Sequence, residues 1–204
     1  SSESFFLFKI FLTFNIKNYM SKLHPKKGRL LVAEPAILND NSFNRAIVLL
    51  TEHTATNSVG FILNKPLAYS INDLLPDINC SFNIYQGGPV EQDNLYFVHR
   101  IPQLLDDSVE VSNGVFWGGN FEQLKNLLNE GTLAASEIRF FLGYSGWDKD
   151  QLTEELEENS WFVAENDFDN IFSNDEESLW KNKLLEKGGN YKLWANAPKD
   201  FNLN

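Results

Sequence analysis

Short apolar runs, separated by turns rich in glycine, proline and asparagine, dominate the chain up to about residue 117. Runs of this length and composition are typical of strands buried on one or both faces. They lie at 28–33, 45–52, 58–63, 82–86, 95–100, 108–112 and 115–117, and two further runs follow at 137–142 and 161–164. A polar turn joins the second and third as a hairpin, and Asn113-Gly114 between the sixth and seventh is a strong signal for a type I′ hairpin.

Helical spacing appears mainly in the second half. Asn120 is expected to cap a helix with leucines on one face and with Gly131 at its end. An acidic helix is expected to open at Asp148, and a last helix to start at Asp175 and stop at Gly188-Gly189. A single capped turn is expected at 70–75. Strands first and helices later predict an α+β or mixed fold with a partly antiparallel sheet.

The chain predicts one domain that begins near Met20. Residues 5–16 are apolar but too short to span a bilayer, which needs about 20 residues. They also lack the basic start and the small-residue cleavage site of a signal peptide. We therefore expect residues 1–19 to be an upstream segment outside the domain, and residues 20–204 to form a single domain, with no membrane association.

Net charge and cysteine content limit the binding partners and the cellular compartment that we expect. The formal net charge is −11, and residues 148–177 contain twelve acidic residues and one basic residue, Lys149. Such a surface repels phosphate backbones and argues against direct DNA binding. Cys80 is the only cysteine, so an intrachain disulfide is excluded and nothing calls for an oxidising compartment. We expect a cytoplasmic protein.

The familiar catalytic, metal and phosphate signatures are incomplete. Gly143-Tyr144-Ser145-Gly146-Trp147 resembles a nucleophile elbow, but Trp147 stands where the final glycine belongs and all three histidines precede Ser145. No spaced Cys/His set, Walker loop or dinucleotide fingerprint is present. We therefore expect no catalytic residue, no metal and no cofactor.

Polar and glycine residues at expected strand ends mark a candidate binding surface. Loops at one end of a sheet can converge, and glycines there let a partner approach the backbone. The candidate residues are Asn64, Gly87, Gly88, Pro89, Tyr144, Ser145 and Trp147. The competing interpretation is that the glycines serve turns and that Trp147 belongs to the core.

Several stretches, taken together and in order, resemble the YqgE/AlgH family of bacterial proteins. They are GRLLVAEP at 28–35, LLTEH at 49–53, GFILNKP at 60–66, GGPV at 87–90 and GYSGW at 143–147. The similarity extends from about Gly28 to Trp180. Lys65 stands where arginine is commoner, and Glu34 where an apolar residue is usual. Glu34 puts in doubt any role that needs an apolar surface there.

The resemblance implies an α+β fold with a bifurcated, partly barrel-like sheet surrounded by helices. Members are often labelled transcriptional regulators, and the family supplies no agreed catalytic residues. Two functions stay open: a non-enzymatic binding or regulatory protein that acts through a protein partner, and a small-ligand-binding protein or enzyme with its site at the Gly87-Gly88-Pro89 and Gly143–Trp147 loops. The oligomeric state is left open.

Overall fold

The structure, a computed structural model, describes residues 23–35, 37, 40–173 and 175–198. The expectation for residues 1–19 lies outside these ranges. The described strands are β1 (Leu30–Ala33), β2 (Ile47–His53), β3 (Asn57–Ile62), β4 (Pro66–Ser70), β5 (Asn83–Gln86), β6 (Val90–His99), β7 (Val109–Ser112), β8 (Val115–Trp117), β9 (Ile138–Asp148) and β10 (Trp161–Ala164).

Five helices accompany these strands in the described ranges, together with a 3-10 turn at Asn170–Phe172. They are α1 (Ile71–Leu74), α2 (Phe121–Glu130), α3 (Gln151–Glu157), α4 (Glu176–Lys187) and α5 (Tyr191–Ala195). The expected signals at the ends of α2 are confirmed: the Asn120 side chain accepts from the Gln123 N–H, and Gly131 ends the helix with a φ of 67°. No helix in the described part of the chain combines the length and apolar character that a bilayer crossing requires.

The strands form one mixed sheet that is mostly antiparallel. Its main order is β10-β1-β2-β3-β9-β6-β8-β7, and the β4–β5 arm joins it through a parallel pairing of β5 with β9. The α+β class and the branched sheet expected from the sequence are therefore confirmed.

The sheet branches along β9. One edge of this strand pairs with β5 at Phe140–Leu142 and then with β3 at Ser145–Asp148. Its other edge pairs with β6 from Ile138 to Tyr144. A single long strand thus holds three neighbours, and the change from β5 to β3 takes place around Gly143.

The two ends of the main sheet come close without forming a ladder. Lys27, just before β1, donates to the Glu110 carbonyl of β7 at 2.8 Å. Arg100, which follows β6, bonds Asp169 beyond β10 at 3.1 Å. The sheet is curled and remains unclosed, so its barrel-like character is limited to these side-chain links.

Helices cover the apolar faces that the sheet exposes. Trp180 and Leu184 of α4 pack on the inner residues of β1 to β3, and Leu124 and Leu128 of α2 pack on β5, β6 and the start of β9. The short helix α3 lies over a third cluster, which includes Trp147. Burial of these apolar faces against the sheet is the main source of stability for such layers.

Candidate functional site

Gly87 and Gly88 meet the β9 backbone where the sheet branches. The Gly87 N–H donates to the Leu142 carbonyl at 2.8 Å, and its own carbonyl accepts from the Ile62 N–H at 2.9 Å. A Cβ on Gly87 would lie 2.1 Å from the Gly143 carbonyl oxygen, and one on Gly88 would lie 2.2 Å from the Tyr144 backbone. These two glycines are therefore required by the close approach of main chains.

The expected convergence of the two glycine-containing segments is present, but the expectation that Gly143–Trp147 is a loop is wrong. These residues continue β9, because they pair with β3 and extend the ladder to Asp148. The Ser145 hydroxyl is fully buried and donates to the Gly87 carbonyl at 3.1 Å. Its hydrogen bond therefore joins β9 to the residue just after β5 at the point where the sheet branches.

Trp147 is a core residue in this structure, only 3% exposed. Its indole N–H donates to Glu155 of α3 at 2.8 Å, and Trp161 donates to the same carboxylate oxygen at 2.8 Å. The two indoles pack edge to face with centroids 5.9 Å apart. A recognition surface centred on the Trp147 side chain is thus replaced by a buried contact that joins α3 to β9 and β10.

Solvent reaches only part of the predicted surface. Pro89 is exposed and Tyr144 is half-buried, with its ring edge to face against Tyr96 at 5.8 Å. The Tyr96 hydroxyl in turn bonds Glu91. These side chains could contact a partner, whereas Gly87, Gly88 and Ser145 lie beneath them.

Asn64 belongs to a different place. Its Oδ1 accepts from the Ile47 N–H at 2.9 Å, and its Nδ2 donates to the Arg45 carbonyl at 2.8 Å. Asn64 thereby fastens the chain after β3 to the chain before β2. It also lines a groove of about 790 Å³, which we call the α4 groove.

The α4 groove lies between these loops and the first turns of α4. Its lining residues are Asn44, Arg45, Asn64, Lys65, Pro66, Asp175, Glu176, Glu177, Ser178, Trp180, Lys181 and Ala195. One wall is therefore basic and the other mainly acidic. Pro66 supplies exposed apolar surface, whereas Trp180 and Ala195 are almost fully buried. The groove's volume lies within the range of about 300–1,000 Å³ that ligand pockets occupy.

The two cations of the basic wall hold backbone in place. Lys65 donates to the carbonyls of Asn41 and Ser42 at 2.9 and 2.7 Å. Burial lowers the pKa of Lys65, and the nearby charge of Asp40 opposes that shift.

Arg45 is held from both sides. It donates to the Ala197 and Pro198 carbonyls at 3.0 and 2.6 Å, and its guanidinium lies over the Trp180 ring at 5.1 Å. The segment after α5 is thus tied to the loop before β2. Arg45, Lys65 and Asn64 thus all form hydrogen bonds with main-chain groups, and these bonds hold the basic wall in place.

A buried arginine lies behind the acidic wall. Arg139 of β9 donates to the carbonyls of Leu63 and Ser173, and its guanidinium lies 4.1 Å from the centroid of the Tyr85 ring. The Tyr85 hydroxyl donates to Glu176 of the groove. Burial raises the pKa of Tyr85 to about 12, with the Arg139 charge opposing and Glu176 adding to the rise.

No three histidine, cysteine or carboxylate side chains in the described ranges are grouped so that they could hold a metal ion. What the groove offers is a shaped surface with charges of both signs, above an aromatic side chain that is almost fully buried.

Comparison with known proteins gives the chain a family. Residues 30–192 match the AlgH-like family. The chain belongs to the AlgH-like family. A UPF0301 protein of Cytophaga hutchinsonii is 45% identical over 180 residues, which cover 87% of this chain and 98% of that protein. A UPF0301 protein of Chlorobaculum parvum is 41% identical over 175 residues, with 85% and 93% covered.

Solved structures share the AlgH-like fold. A protein of Corynebacterium diphtheriae superposes with a TM-score of 0.73 at 22% identity and covers 88% of this chain and 96% of its own. The AlgH protein of Pseudomonas aeruginosa gives 0.67 at 23% identity, with 87% and 98% covered. At these identities the likeness establishes the fold alone.

The α4 groove of this AlgH-like chain was not predicted from the sequence. Arg45 and Lys65 lie more than a hundred positions before α4, and no local motif indicates that they meet it. Asn64 was the one predicted residue that the structure places in the groove. The first turn of α4 belongs to the acidic stretch at 148–177, and nothing in that stretch indicates that it lines a groove together with two cations.

Proposed function

We propose that this AlgH-like chain is a non-catalytic binding protein that acts through a protein partner, with the α4 groove as the docking site. A regulatory role, including one in transcription, would then be exerted by the partner. The proposal extends the family assignment to a mode of action.

One observation carries the non-catalytic part. The polar side chains of the basic wall are engaged in holding main chain: Asn64 bonds the loops around β2, Lys65 bonds two carbonyls, and Arg45 bonds two more. A general base or nucleophile needs a free electron pair aimed at a substrate. Groups fixed in this way instead give a rigid surface, which reduces the entropy lost on binding.

The charges of the groove indicate what it would hold. Arg45 and Lys65 line the same groove as Asp175 and Glu176, and Trp180 lies almost fully buried beneath the Arg45 guanidinium. An extended peptide segment with both acidic and basic side chains would find a partner for each. Arginine is among the residue types that often contribute most of the binding energy of an interface.

Lys181 offers a direct test because it lines the groove and is exposed. Wild type, Lys181→Glu and the control Lys149→Glu are used to capture proteins from the native cell extract at low salt, with and without nuclease. Lys149 is exposed, lies between β9 and α3, and undergoes the same charge change. Quantitative mass spectrometry then compares the three captured sets.

We expect at least one protein that wild type and Lys149→Glu retain equally and that Lys181→Glu loses by tenfold or more. Crosslinking of that protein to residues of the groove would place the contact. Equal retention by all three forms would show that the α4 groove is not the docking site. Loss of the retained set on nuclease treatment would point to nucleic acid as the bridge and would contradict the proposal.

The size of the groove supports a second candidate, a small organic ligand. A volume of about 790 Å³ accommodates a molecule of cofactor size. Native mass spectrometry of the protein purified from its own cells discriminates the two: a defined mass increment that Lys181→Glu loses and Lys149→Glu keeps would favour the small ligand.

A further inference from the structure

A second cavity, of about 200 Å³, is lined by Tyr85, whose hydroxyl bonds Glu176 of the α4 groove. We call it the Arg139 cavity. Its lining residues are Ser81, Phe82, Asn83, Tyr85, Ala135, Ile138 and Arg139. Ile138 and Phe82 supply apolar surface, and the exposed Ser81 and Asn83 place a hydroxyl and an amide among the polar lining. Cavities of this volume suit a small anion better than a cofactor.

The charge in this cavity is positive and almost hidden from water. Arg139 is only 4% exposed, and its two described hydrogen bonds go to the neutral carbonyls of Leu63 and Ser173. Within the described ranges, no carboxylate lies within 4 Å of its guanidinium. Burial lowers the pKa of Arg139, and the nearby Tyr85 and Glu176 oppose that shift without a direct ion pair.

A buried cation without a directly bound counterion is costly, because neutral dipoles and a carboxylate that does not contact it offset the desolvation only in part. Guanidinium is also the side-chain group best matched to the paired oxygens of phosphate, sulfate or carboxylate. Stacking on Tyr85 fixes the plane of the Arg139 guanidinium, so the group is already oriented.

We propose that the Arg139 cavity binds a small oxyanion of the size of inorganic phosphate, with Arg139 as the charged donor and Ser81 and Asn83 as neutral donors at its rim. This site is separate from the docking surface of the α4 groove. Its test and the capture experiment can therefore fail independently.

The experiment titrates the full chain with inorganic phosphate by isothermal titration calorimetry, with sodium chloride maintaining constant ionic strength. Asn83→Asp is the decisive variant, since it places a negative charge at the rim of the cavity on an exposed strand position. Asn113→Asp is its matched control: Asn113 is exposed in the β7–β8 turn, and Asp-Gly also suits that turn.

We expect saturable binding of one phosphate per chain in wild type and in Asn113→Asp, with an affinity at least tenfold weaker in Asn83→Asp. Arg139→Gln should abolish the signal, and circular dichroism would show whether that variant remains folded. If it does not, the comparison of the two asparagine variants decides alone. Absence of saturable binding in wild type, or equal affinities for Asn83→Asp and Asn113→Asp, would overturn the proposal.

Discussion

Hydrogen bonds to the main chain hold the buried side chain of His99 in one orientation. It is fully buried at the end of β6, where Nδ1 accepts from the Ile101 N–H at 3.2 Å and Nε2 lies 3.0 Å from the Gly118 carbonyl. These partners require the tautomer with its proton on Nε2. Burial lowers the pKa of His99, and the bond to Gly118 opposes that shift only in part.

The lowered pKa predicts that stability falls as pH falls from about 6.5, the usual value for an unfolded histidine. Below that pH the histidine of the unfolded chain binds a proton, whereas buried His99 of the folded chain stays neutral. The free energy of unfolding therefore decreases with falling pH until the pKa of folded His99 is reached. The slope contributed by His99 is at most about 1.4 kcal/mol per pH unit.

Urea unfolding at pH 7.5, 6.5 and 5.5 measures this dependence. We expect His99→Gln to be less stable at pH 7.5 but to show a shallower decline, whereas His24→Gln, at an exposed position, should keep the wild-type slope. Parallel curves for wild type and His99→Gln would show that His99 does not account for the dependence.

Among the elements, β9 has the largest influence on the fold. It changes its partner from β5 to β3 around Gly143, and the end of β5 is inserted at that point through Gly87. The Ser145 hydroxyl adds a bond to the same Gly87 carbonyl. Three main chains thus approach each other at a place where a side chain would not fit.

This crowding predicts that Gly87→Ala costs at least about 3 kcal/mol of unfolding free energy, at the upper end of ordinary single substitutions. The matched control is Gly118→Ala. Gly118 has a φ of 69° and nothing within 4 Å of an added Cβ, so only about 1–2 kcal/mol of backbone strain is expected. Denaturant unfolding of both variants gives the comparison, and equal losses would show that steric exclusion at the junction is unimportant.

The sequence predicted most elements because their patterns are local. The strands β1, β2 and β3, the β7–β8 hairpin and the caps of α2 follow from runs of apolar residues and turn chemistry. The continuation of β9 was missed because Gly143, Ser145 and Gly146 interrupt its apolar pattern, and their reason is contact with distant Gly87. Strand β4 begins with a proline and pairs with β5 only at Pro66 and Ser70, so its sequence gives a weak strand signal.

At the scale of the whole molecule, the functional surface could be predicted only in part. The order of motifs indicated the family, but it drew attention to Gly87-Gly88-Pro89 and Gly143–Trp147, which the structure places largely at the branch of the sheet. The α4 groove combines the segments before β2 and after β3 with α4 and α5. The Arg139 cavity combines β5 and β9 with the residues just before each of them. Such combinations depend on topology, which one chain without its fold does not reveal.

The net charge of the whole molecule affects its affinity for DNA. With a net charge of −11, an acidic α3 and an acidic first turn of α4, the protein should bind duplex DNA no more tightly than the range of about 10⁻⁴–10⁻⁶ M that is usual for non-specific complexes near physiological salt. Fluorescence anisotropy with a labelled duplex, repeated at low salt, measures this. A nanomolar complex with one particular sequence would contradict the prediction and would make direct DNA binding a property of the chain itself.

The position of β9 late in the chain has a consequence for synthesis on the ribosome. Strand β3 is complete at Ile62, but the strand that pairs with its outer edge ends only at Asp148, and β10, the partner of β1, follows at Trp161–Ala164. At about 5–20 residues per second, the nascent sheet waits on the order of 4–17 s with unpaired edges. Exposed edges of this kind favour aggregation, so we infer that the growing chain is a better substrate for chaperones than the finished protein.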